Sequence, residues 1–285
     1  MRANLGGMRP IHYHTQPLRR LYAIGDPHGC ITELQLLLQK IHEDGFDPST
    51  DTVLFVGDLV DRGPDSLACL QLVRDTPGFI SVLGNHEDAY LRMWRHEQRL
   101  VEDPSYQIPM RLAPYKQINY EHFLTDKELF PWLDEVPTIR VFDIEGRSRQ
   151  LVGVHAGLNP VIPTLERQDF TKCRHIRFFS PEKNKPVSQE ENYNQQPVGS
   201  VFWFELYKGP KDVVFGHHSF DEVLVHSNGQ GTCYGVDTGC CWGDNLSAVR
   251  FDASGEKTFS VPAMENYSQK YRIRKAEAAK NTGVV

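Results

Sequence analysis

The sequence predicts an α/β fold in which two packed, mixed β-sheets are flanked by helices. Early in the chain, three short apolar runs each end in polar residues and lead into an amphipathic segment, as in the βαβ units of a parallel sheet. Later apolar runs are joined by short turns, which favours antiparallel strands. With 285 residues, 40% of them hydrophobic, the chain can bury a sizeable core, and we interpret it as one domain.

The three strand–helix pairs follow one another directly. LYAIGDPHG, from Leu21 to Gly29, predicts a strand that ends in a turn, and ITELQLLLQKI continues with helical spacing. TVLFVGD, from Thr52 to Asp58, predicts the second strand and PDSLACLQLVRDT the second helix. FISVLGNHED, from Phe79 to Asp88, predicts the third strand and AYLRMWRHEQRL the third helix.

The rest of the chain predicts an insert and then further strands. Residues from about 102 to 137 favour a helical insert packed near the site. Strands are predicted for PTIRVFDI, RQLVGVHAG, KDVVFGHHS and TCYGVDTGC, and NLSAVRFDASGEKTFSV predicts a closing hairpin around Ala253-Ser254-Gly255. The polar stretch SPEKNKPVSQEENYNQQPVGS predicts an exposed loop.

The predicted domain spans residues 19–262, with a tail on each side. Residues 1–18 lack acids and carry arginines, as transit peptides do, but their two histidines and two prolines fit a flexible tail better. Residues 263–285 predict a polar, basic C-terminal tail that forms a solvated helix or a loose end.

Composition argues against several classes of partner. The net charge is −6 and the pI about 6.1, so the whole surface has no electrostatic attraction for DNA or a membrane. No apolar run approaches the ~20 residues that span a bilayer. The six cysteines include no CxxC pair, which favours reduced structural thiols in a cytoplasmic protein over disulfides or cysteine-bound zinc.

Polar side chains follow five of the predicted strands. In open α/β sheets, ligands bind beyond the carboxyl ends of the strands, so we expect these side chains to converge. Each of these side chains alone is weak evidence for a functional site, because Gly-Asp pairs are common in turns and most histidines pack or face solvent. That ordinary interpretation applies to His42, His96, His122, His175 and His226. The converging set is Asp26, His28, Asp58, Asp61, Arg62, Asn85, His86, His155, His217 and His218.

This donor set suits a pair of divalent cations. Oxygen and imidazole ligands are compatible with Mn²⁺, Fe, Zn²⁺, Co²⁺ or Mg²⁺. Two such ions ~3.5–4 Å apart can share a carboxylate and a bridging hydroxide, and that hydroxide can attack phosphorus in line. An arginine supplies matched donors for phosphoryl oxygens, and a histidine can protonate the leaving oxygen.

Five motifs in order resemble the phosphoprotein phosphatase family of calcineurin-like metallophosphoesterases. They are GDPHG, GDLVDRG, GNHE, HAG and GH, beginning at residues 25, 57, 84, 155 and 216, and the resemblance spans about Leu21 to Val249. It implies a metallophosphoesterase sandwich with two divalent ions, of which Mn²⁺ is favoured. The implied metal ligands are Asp26 and His28 for the first ion, Asp58 as the bridge, and Asn85, His155 and His217 for the second.

The resemblance also implies the residues that handle the substrate. His86 would be the acid for the leaving group, oriented by Asp61, and Arg62 would bind phosphate. The family has a further phosphate-binding arginine after HAG. Here HIRFF offers Arg177, with Arg174 as the alternative, and we favour Arg177 because its Ile-Arg pair resembles relatives.

Other segments resemble one branch of this family. DRGPDS, VLGNHE, FELYKGPKDVVFGHH and YGVDTGCCWGDNLSAV are similar to bacterial symmetrical diadenosine tetraphosphatases and their eukaryotic ApaH-like relatives. The bacterial enzymes often lack the aspartate found here as Asp61, whereas protein phosphatases have it. The favoured activity is bis(5'-nucleosyl)-tetraphosphatase, and the alternatives are a serine/threonine protein phosphatase and an RNA-cap or polyphosphate hydrolase.

The expected partner is a phosphorylated small molecule or nucleotide, with a phosphoprotein as the alternative. A nucleotide enzyme needs an aromatic side chain that stacks on the base, and Trp242 and Tyr115 are the candidates, although both also suit a packing role. A binding module that has lost catalysis is disfavoured because no expected ligand and no acid histidine is missing.

Overall fold

The computed structural model of the protein describes residues 10–187 and 195–269. Three parts of the sequence predictions lie outside these ranges. They are residues 1–9 of the predicted N-terminal tail, residues 188–194 of the predicted exposed loop, and residues 270–285 of the predicted C-terminal tail.

Strands and helices alternate through the first part of the described chain. The helices are α1 (Ile31–Glu43), α2 (Ser66–Asp75), α3 (Asn85–Glu102), α4 (Pro114–Phe123), α5 (Leu129–Glu135) and α6 (Trp203–Leu206). The strands are β1 (Ile11–Tyr13), β2 (Arg20–Ile24), β3 (Asp51–Phe55), β4 (Phe79–Ser81), β5 (Ile139–Phe142), β6 (Leu151–Val154), β7 (Phe178–Ser180), β8 (Lys185–Val187), β9 (Val201–Phe202), β10 (Asp212–Phe215), β11 (Leu224–Ser227), β12 (Thr232–Gly235), β13 (Asn245–Asp252) and β14 (Gly255–Pro262).

The described strands form two large mixed sheets and a small one. The five-stranded sheet has the order β14-β13-β2-β3-β4, in which β2, β3 and β4 run parallel, as two consecutive βαβ units require. The six-stranded sheet has the order β1-β5-β6-β10-β12-β11, and the small antiparallel sheet is β8-β7-β9. The predicted hairpin is β13 and β14, paired antiparallel across the turn at Ala253-Ser254.

The two large sheets pack face to face with helices outside. Between them lies an apolar layer that includes Leu54 of β3 and Leu151 of β6. A second core lies under α1, α2 and the insert, where α1 contributes Leu34 and Leu37. A third core covers the other face of the six-stranded sheet and includes Trp203 of α6. Burying both faces of each sheet in this way confirms the predicted fold class.

The predicted insert contains two helices, α4 and α5. Phe123 and Phe130 from these helices are buried in the core they share with α2 and α3. The hydroxyl of Tyr120 on α4 also donates to Glu97 of α3 at 2.6 Å. These contacts pack the insert against α2 and α3.

Four predictions about local structure need correction. The predicted N-terminal tail contains β1, which pairs in parallel with β5, and which is short and carries a histidine at its centre, so its strand character is hard to recognise. The predicted exposed loop contains β8, an edge strand that tolerates its proline because one side needs no ladder bond. Strand β11 was not predicted, since it is short and half exposed. Helix α3 begins at Asn85, inside the segment predicted as a strand.

Among the described residues, no helix combines the length and the apolar character needed to cross a membrane.

Candidate active site

The predicted site residues meet at the carboxyl ends of parallel strands. Asp26 and His28 follow β2, Asp58 follows β3, His155 follows β6 and His217 follows β10. Asn85 and His86 lie in the first turn of α3, immediately after β4. The carboxyl ends of the two large sheets therefore open onto one shared cleft.

Asp58 lies at the centre of this cluster. With His28 and His86 it forms a group whose candidate ligand atoms all lie within 4.8 Å of one another, and with His155 and His217 it forms a second such group. Its Oδ2 atom lies 3.6 Å from His28 Nε2, and its Oδ1 atom lies 3.4 Å from His155 Nε2. One carboxylate therefore faces two sets of imidazoles.

Asn85 and Asp26 complete the cluster. Asn85 Oδ1 lies 2.9 Å from His155 Nε2, and Asp26 Oδ2 accepts a hydrogen bond of 2.9 Å from the backbone N–H of His217. A Cβ atom added to Gly216 would lie 2.0 Å from Asp26 Oδ1, so only glycine lets this strand end approach the carboxylate. All six predicted metal ligands thus come together.

Two atoms of the cluster are buried and have no hydrogen-bond partner. They are Asp26 Oδ1 and His217 Nε2. Burying a polar atom without a partner is unfavourable by roughly 1–3 kcal/mol, and bound cations would satisfy both atoms. The residues present therefore fit the dinuclear centre that the sequence predicts.

The charges of the cluster also suit cation binding. Burial lowers the pKa of His155 to about 4 and lowers the pKa of His28 well below its usual value, so both imidazoles are neutral at pH 7. Neutral imidazole is the form that ligates metals.

Backbone strain is concentrated at the same residues. Among non-glycine residues in the described chain, positive φ angles occur at His28, Asp58, Asp61, Arg62 and His217, with values between 44° and 72°, and otherwise only at Asn184. Such angles are unfavourable for L-residues and persist only where the surrounding structure enforces them. The fold thus holds these side chains in strained turns that aim them at the cleft.

His86 and Asp61 form a tight pair at the edge of the cluster. His86 Nδ1 lies 2.6 Å from Asp61 Oδ2, and the hydroxyl of Tyr90 donates to Asp61 Oδ1. The backbone N–H of Asp61 donates to Ser66 Oγ at 2.8 Å. His86 Nε2 therefore points away from Asp61 and lies 3.8 Å from Asp58 Oδ2.

Arg62 lies directly over the cluster. Its Nη1 atom is 2.7 Å from His28 Nε2, and its Nη2 atom is 3.4 Å from His86 Nε2. The guanidinium also lies 5.1 Å from the ring centre of Trp242, which places this candidate stacking residue beside the site. The other candidate, Tyr115, is on α4 next to Lys116 in the chain.

The two candidate second arginines have different surroundings. Arg177 donates from Nη2 to the backbone carbonyl of His217 at 3.0 Å, which places it beside a predicted ligand. Arg174 is buried and pairs with Asp88 on α3 at 3.2 Å, and it also donates to Thr138 Oγ1 at 2.9 Å. These contacts engage the guanidinium of Arg174 within the fold. The preference for Arg177 as the second phosphate-binding arginine remains a proposal, and its position beside His217 supports it.

Glu87 braces the site, and the sequence analysis assigned it no role. Its Oε2 atom accepts hydrogen bonds from the backbone N–H groups of Asp58 at 2.9 Å and Gly84 at 3.1 Å, and its Oε1 atom accepts one from Val60 at 3.1 Å. Burial, and then the charge of Asp58, raises the pKa of Glu87 to about 8. The side chain links the GDLVDRG segment to the GNHE segment. Its position in the GNHE motif could have identified it as a site residue from the sequence.

Lys116 and Asn119 of the insert reach the catalytic pair and were also missed. Lys116 forms an ion pair with Asp61 Oδ2, and Asn119 Nδ2 donates to Asp61 Oδ1 at 3.0 Å. The ammonium of Lys116 lies 4.5 Å from the ring centre of Tyr90. No motif marks these two residues, because a helix from a separate segment carries them to Asp61.

Asp237, in the segment YGVDTGC, is a buried acid that the sequence analysis did not select. It accepts hydrogen bonds of 3.0 Å from Ser219 Oγ and from the backbone N–H of Gly239. Burial, and then the charge of Asp237, raises the pKa of Asp26. The aspartate followed by Thr-Gly is the sequence feature that could have identified this residue.

The remaining histidines lie outside this centre or at its margin. His218 follows His217 but packs against Phe202 and Phe220, and burial lowers its pKa to about 4. His175 contacts the ring of His217 edge-on at 6.4 Å. His96 shares a hydrogen bond of 2.6 Å with Tyr106 in the insert. None of these three belongs to either candidate ligand group among the described residues.

The comparisons with known proteins agree with this site. The family model described as calcineurin-like phosphoesterase matches residues 19–251. A symmetrical bis(5'-nucleosyl)-tetraphosphatase of Coxiella burnetii (strain Dugway 5J108-111) is 32% identical, over 86% of this chain and 92% of that protein. The protein of the same name from Methylococcus capsulatus (strain ATCC 33009 / NCIMB 11132 / Bath) is 29% identical, over 90% of this chain and 99% of that protein.

A solved structure points the same way. The crystal structure of a protein provisionally described as a diadenosine tetraphosphatase matches with a TM-score of 0.65 and 26% identity, over 90% of this chain and 99% of that one. Fold, site and relatives together define a metal-dependent phosphohydrolase. The chain belongs to the calcineurin-like phosphoesterase family, as its five motifs predicted.

Proposed function

We propose that the protein is a symmetrical bis(5'-nucleosyl)-tetraphosphatase that cleaves diadenosine tetraphosphate or a related nucleotide into two nucleoside diphosphates. The observation that carries the chemistry is Asp58, which lies between two groups of candidate ligands. The substrate class is supported by the names of the relatives that match most of the chain. The proposed catalytic unit is residues 19–262.

The proposed ligands divide into two sets around Asp58. One divalent ion would be held by Asp26 and His28, and the other by Asn85, His155 and His217. Asp58 would ligate both ions. We propose Mn²⁺, with Fe, Zn²⁺, Co²⁺ or Mg²⁺ as alternatives that the same donors accept. When bound, such ions would activate water as the nucleophile and neutralise phosphoryl charge.

The side chains around the ions would bind the substrate and move the proton. Arg62 would bind the phosphoryl oxygens through its two terminal nitrogens, and Arg177, beside His217, would bind them as well. Asp61 accepts from His86 Nδ1, so the imidazolium can deliver its proton only from Nε2, the atom that faces the cleft. His86 would thereby protonate the leaving phosphate oxygen.

A cytoplasmic location fits the thiols. All six cysteines are unpaired and buried, which is usual in a reducing compartment. The proposed partner is a phosphorylated small molecule, and no association with DNA or a membrane is proposed.

A protein phosphatase is the second candidate, because Asp61 matches that branch of the family. The test compares the Mn²⁺-loaded protein on diadenosine tetraphosphate and on a phosphoserine peptide, with products separated by anion exchange. We expect ADP as the sole nucleotide product and a higher kcat/KM for the nucleotide. A higher value for the peptide would overturn the substrate assignment, and AMP with ATP would overturn the symmetrical cleavage.

A further inference from the structure

A carboxylate without a cation lies buried behind the active site. Glu33, in the first turn of α1, is 0% exposed. Its Oε1 atom accepts hydrogen bonds of 2.8 Å from the backbone N–H of Met264 and from the hydroxyl of Tyr267. Its Oε2 atom has no hydrogen-bond partner, and no Lys, Arg or His forms an ion pair with Glu33 within residues 10–187 and 195–269.

An ionised carboxylate is rarely buried without a cation or a metal, because desolvation of the charge is too unfavourable. The dipole at the start of α1 favours a negative charge, yet it leaves Oε2 without a donor. The orphaned oxygen is therefore a signal for a bound cation.

Two thiols face the same point. Cys30 immediately precedes α1, and Cys240 begins the short 3₁₀ turn Cys240–Trp242 near the other end of the chain. The sulfur atoms of Cys30 and Cys240 and one oxygen of Glu33 all lie within 4.8 Å of one another, and the three residues are buried. Around a Zn²⁺ ion with Zn–S bonds of about 2.3 Å, ligand atoms are spaced by roughly 4 Å.

We propose that Cys30, Glu33 and Cys240 form a metal site, separate from the catalytic centre, that takes a thiophilic divalent cation such as Zn²⁺. The ion replaces the protons of the two thiols, which pass to solvent, and it ligates one oxygen of Glu33. Thiolate sulfur and carboxylate oxygen are both ligands of Zn²⁺, and three protein ligands leave one position of a tetrahedral ion for a further donor such as water.

The site would hold two catalytic loops against α1. Cys30 lies two residues after His28, and Cys240 is adjacent to Cys241, whose sulfur accepts a hydrogen bond of 3.5 Å from Arg62 Nη1. The sequence analysis disfavoured a metal bound by cysteines because the chain has no CxxC pair. The fold nevertheless brings the two thiols together from distant parts of the chain.

Cobalt spectroscopy on the wild-type protein tests the site without reference to activity. The proposed catalytic ligands include no cysteine, so thiolate-to-Co²⁺ charge transfer in the near ultraviolet can come only from another site. We expect this band in the Co²⁺-loaded protein and three metal ions per chain by elemental analysis. No band, with two ions per chain or fewer, overturns the proposal.

Variants then locate the band. Cys240→Ser and Glu33→Gln should each lose one metal ion per chain, and Cys240→Ser should also lose the band. Cys173→Ser, which changes a buried thiol in another core, should keep both. A Cys240→Ser protein that folds and keeps the band contradicts the assignment, and if that variant does not fold, the wild-type spectrum decides. If the mass of the wild-type protein is lower than the sequence mass by two hydrogen atoms, the thiols form a disulfide, and the proposal is also overturned.

Discussion

At the residue scale, the proposed mechanism gives separate tasks to one carboxylate, Asp58, and one imidazole, His86. Asp58 lies in a strained turn and faces imidazoles on both sides. His86 turns one nitrogen to Asp61 and the other to the cleft. Removing either group should therefore produce a different defect.

Asp58→Asn should abolish turnover through loss of bound metal. The amide carries no charge and cannot neutralise two cations, so we expect p-nitrophenyl phosphate turnover to fall by at least about 100-fold. Elemental analysis should show fewer metal ions per chain, while circular dichroism stays the same. Wild-type turnover in this variant would mean that the activity belongs to another site or to a contaminant.

His86→Asn should keep its metal ions and lose the proton donor. A general acid contributes roughly 10²–10⁴-fold, and most for leaving groups that are strong bases. We therefore expect kcat to fall much further on phenyl phosphate than on p-nitrophenyl phosphate. Equal losses on the two substrates would contradict the role of His86 as the acid.

At the element scale, the insert contacts the proposed catalytic pair of His86 and Asp61. Helix α4 brings Lys116 and Asn119 to Asp61. The two carboxylate oxygens of Asp61 thus contact four side chains, which are these two together with His86 and Tyr90. The carboxylate is thus fixed in position by the fold before substrate arrives. We propose that the insert influences catalysis through this contact.

Lys116→Met should weaken the acid without unfolding the insert. With one of its four partners lost, Asp61 holds His86 less firmly, and we expect kcat to fall by about 10-fold with little change in KM. The loss should be larger on phenyl phosphate than on p-nitrophenyl phosphate, as for His86→Asn. Lys127→Met, an exposed lysine of the same insert, is the matched control and should behave as wild type. A change confined to KM would instead indicate that Lys116 contacts substrate.

At the scale of the whole molecule, one acid links α1 to the five-stranded sheet. Asp44, at the end of α1, accepts hydrogen bonds from Tyr22 of β2 at 3.0 Å, Arg250 of β13 at 2.7 Å and Lys257 of β14 at 2.5 Å. Burial acts to raise the pKa of Asp44, but the hydrogen bonds from Lys257, Arg250 and Tyr22 outweigh it and lower the pKa to about 2.

Asp44→Asn should lower stability at neutral pH and matter less in acid. A carboxyl whose pKa is lower in the folded state stabilises that state above its unfolded pKa, 3.8, and the effect is lost as the pH falls toward about 2. We expect a loss of roughly 1–3 kcal/mol in the free energy of unfolding at pH 7, measured by urea denaturation. The difference from wild type should shrink between pH 4 and pH 2. Asp221→Asn, an exposed acid, is the control, and a difference that stays constant with pH would contradict this role.

Much of the fold was predictable because its signals are local. Apolar runs with polar ends marked β2, β3 and β4, and turn residues marked the hairpin of β13 and β14. Strand β8 has no local signal, since its pairing with β7 alone holds it. The start of α3 at Asn85 was hidden because its N-cap residue, Gly84, has no side chain, and it is Glu87 of the helix itself that accepts from the backbone N–H of Gly84.

The sequence by itself determined the family, and it proposed the six candidate ligands and the candidate acid His86, because each sits in a short motif whose glycines and polar residues are contiguous. Only the tertiary structure decided that Arg177 rather than Arg174 lies beside His217, that Lys116 reaches Asp61, and that Glu33 faces two thiols. These are contacts between segments distant in the chain, and their formation depends on how helices and sheets pack.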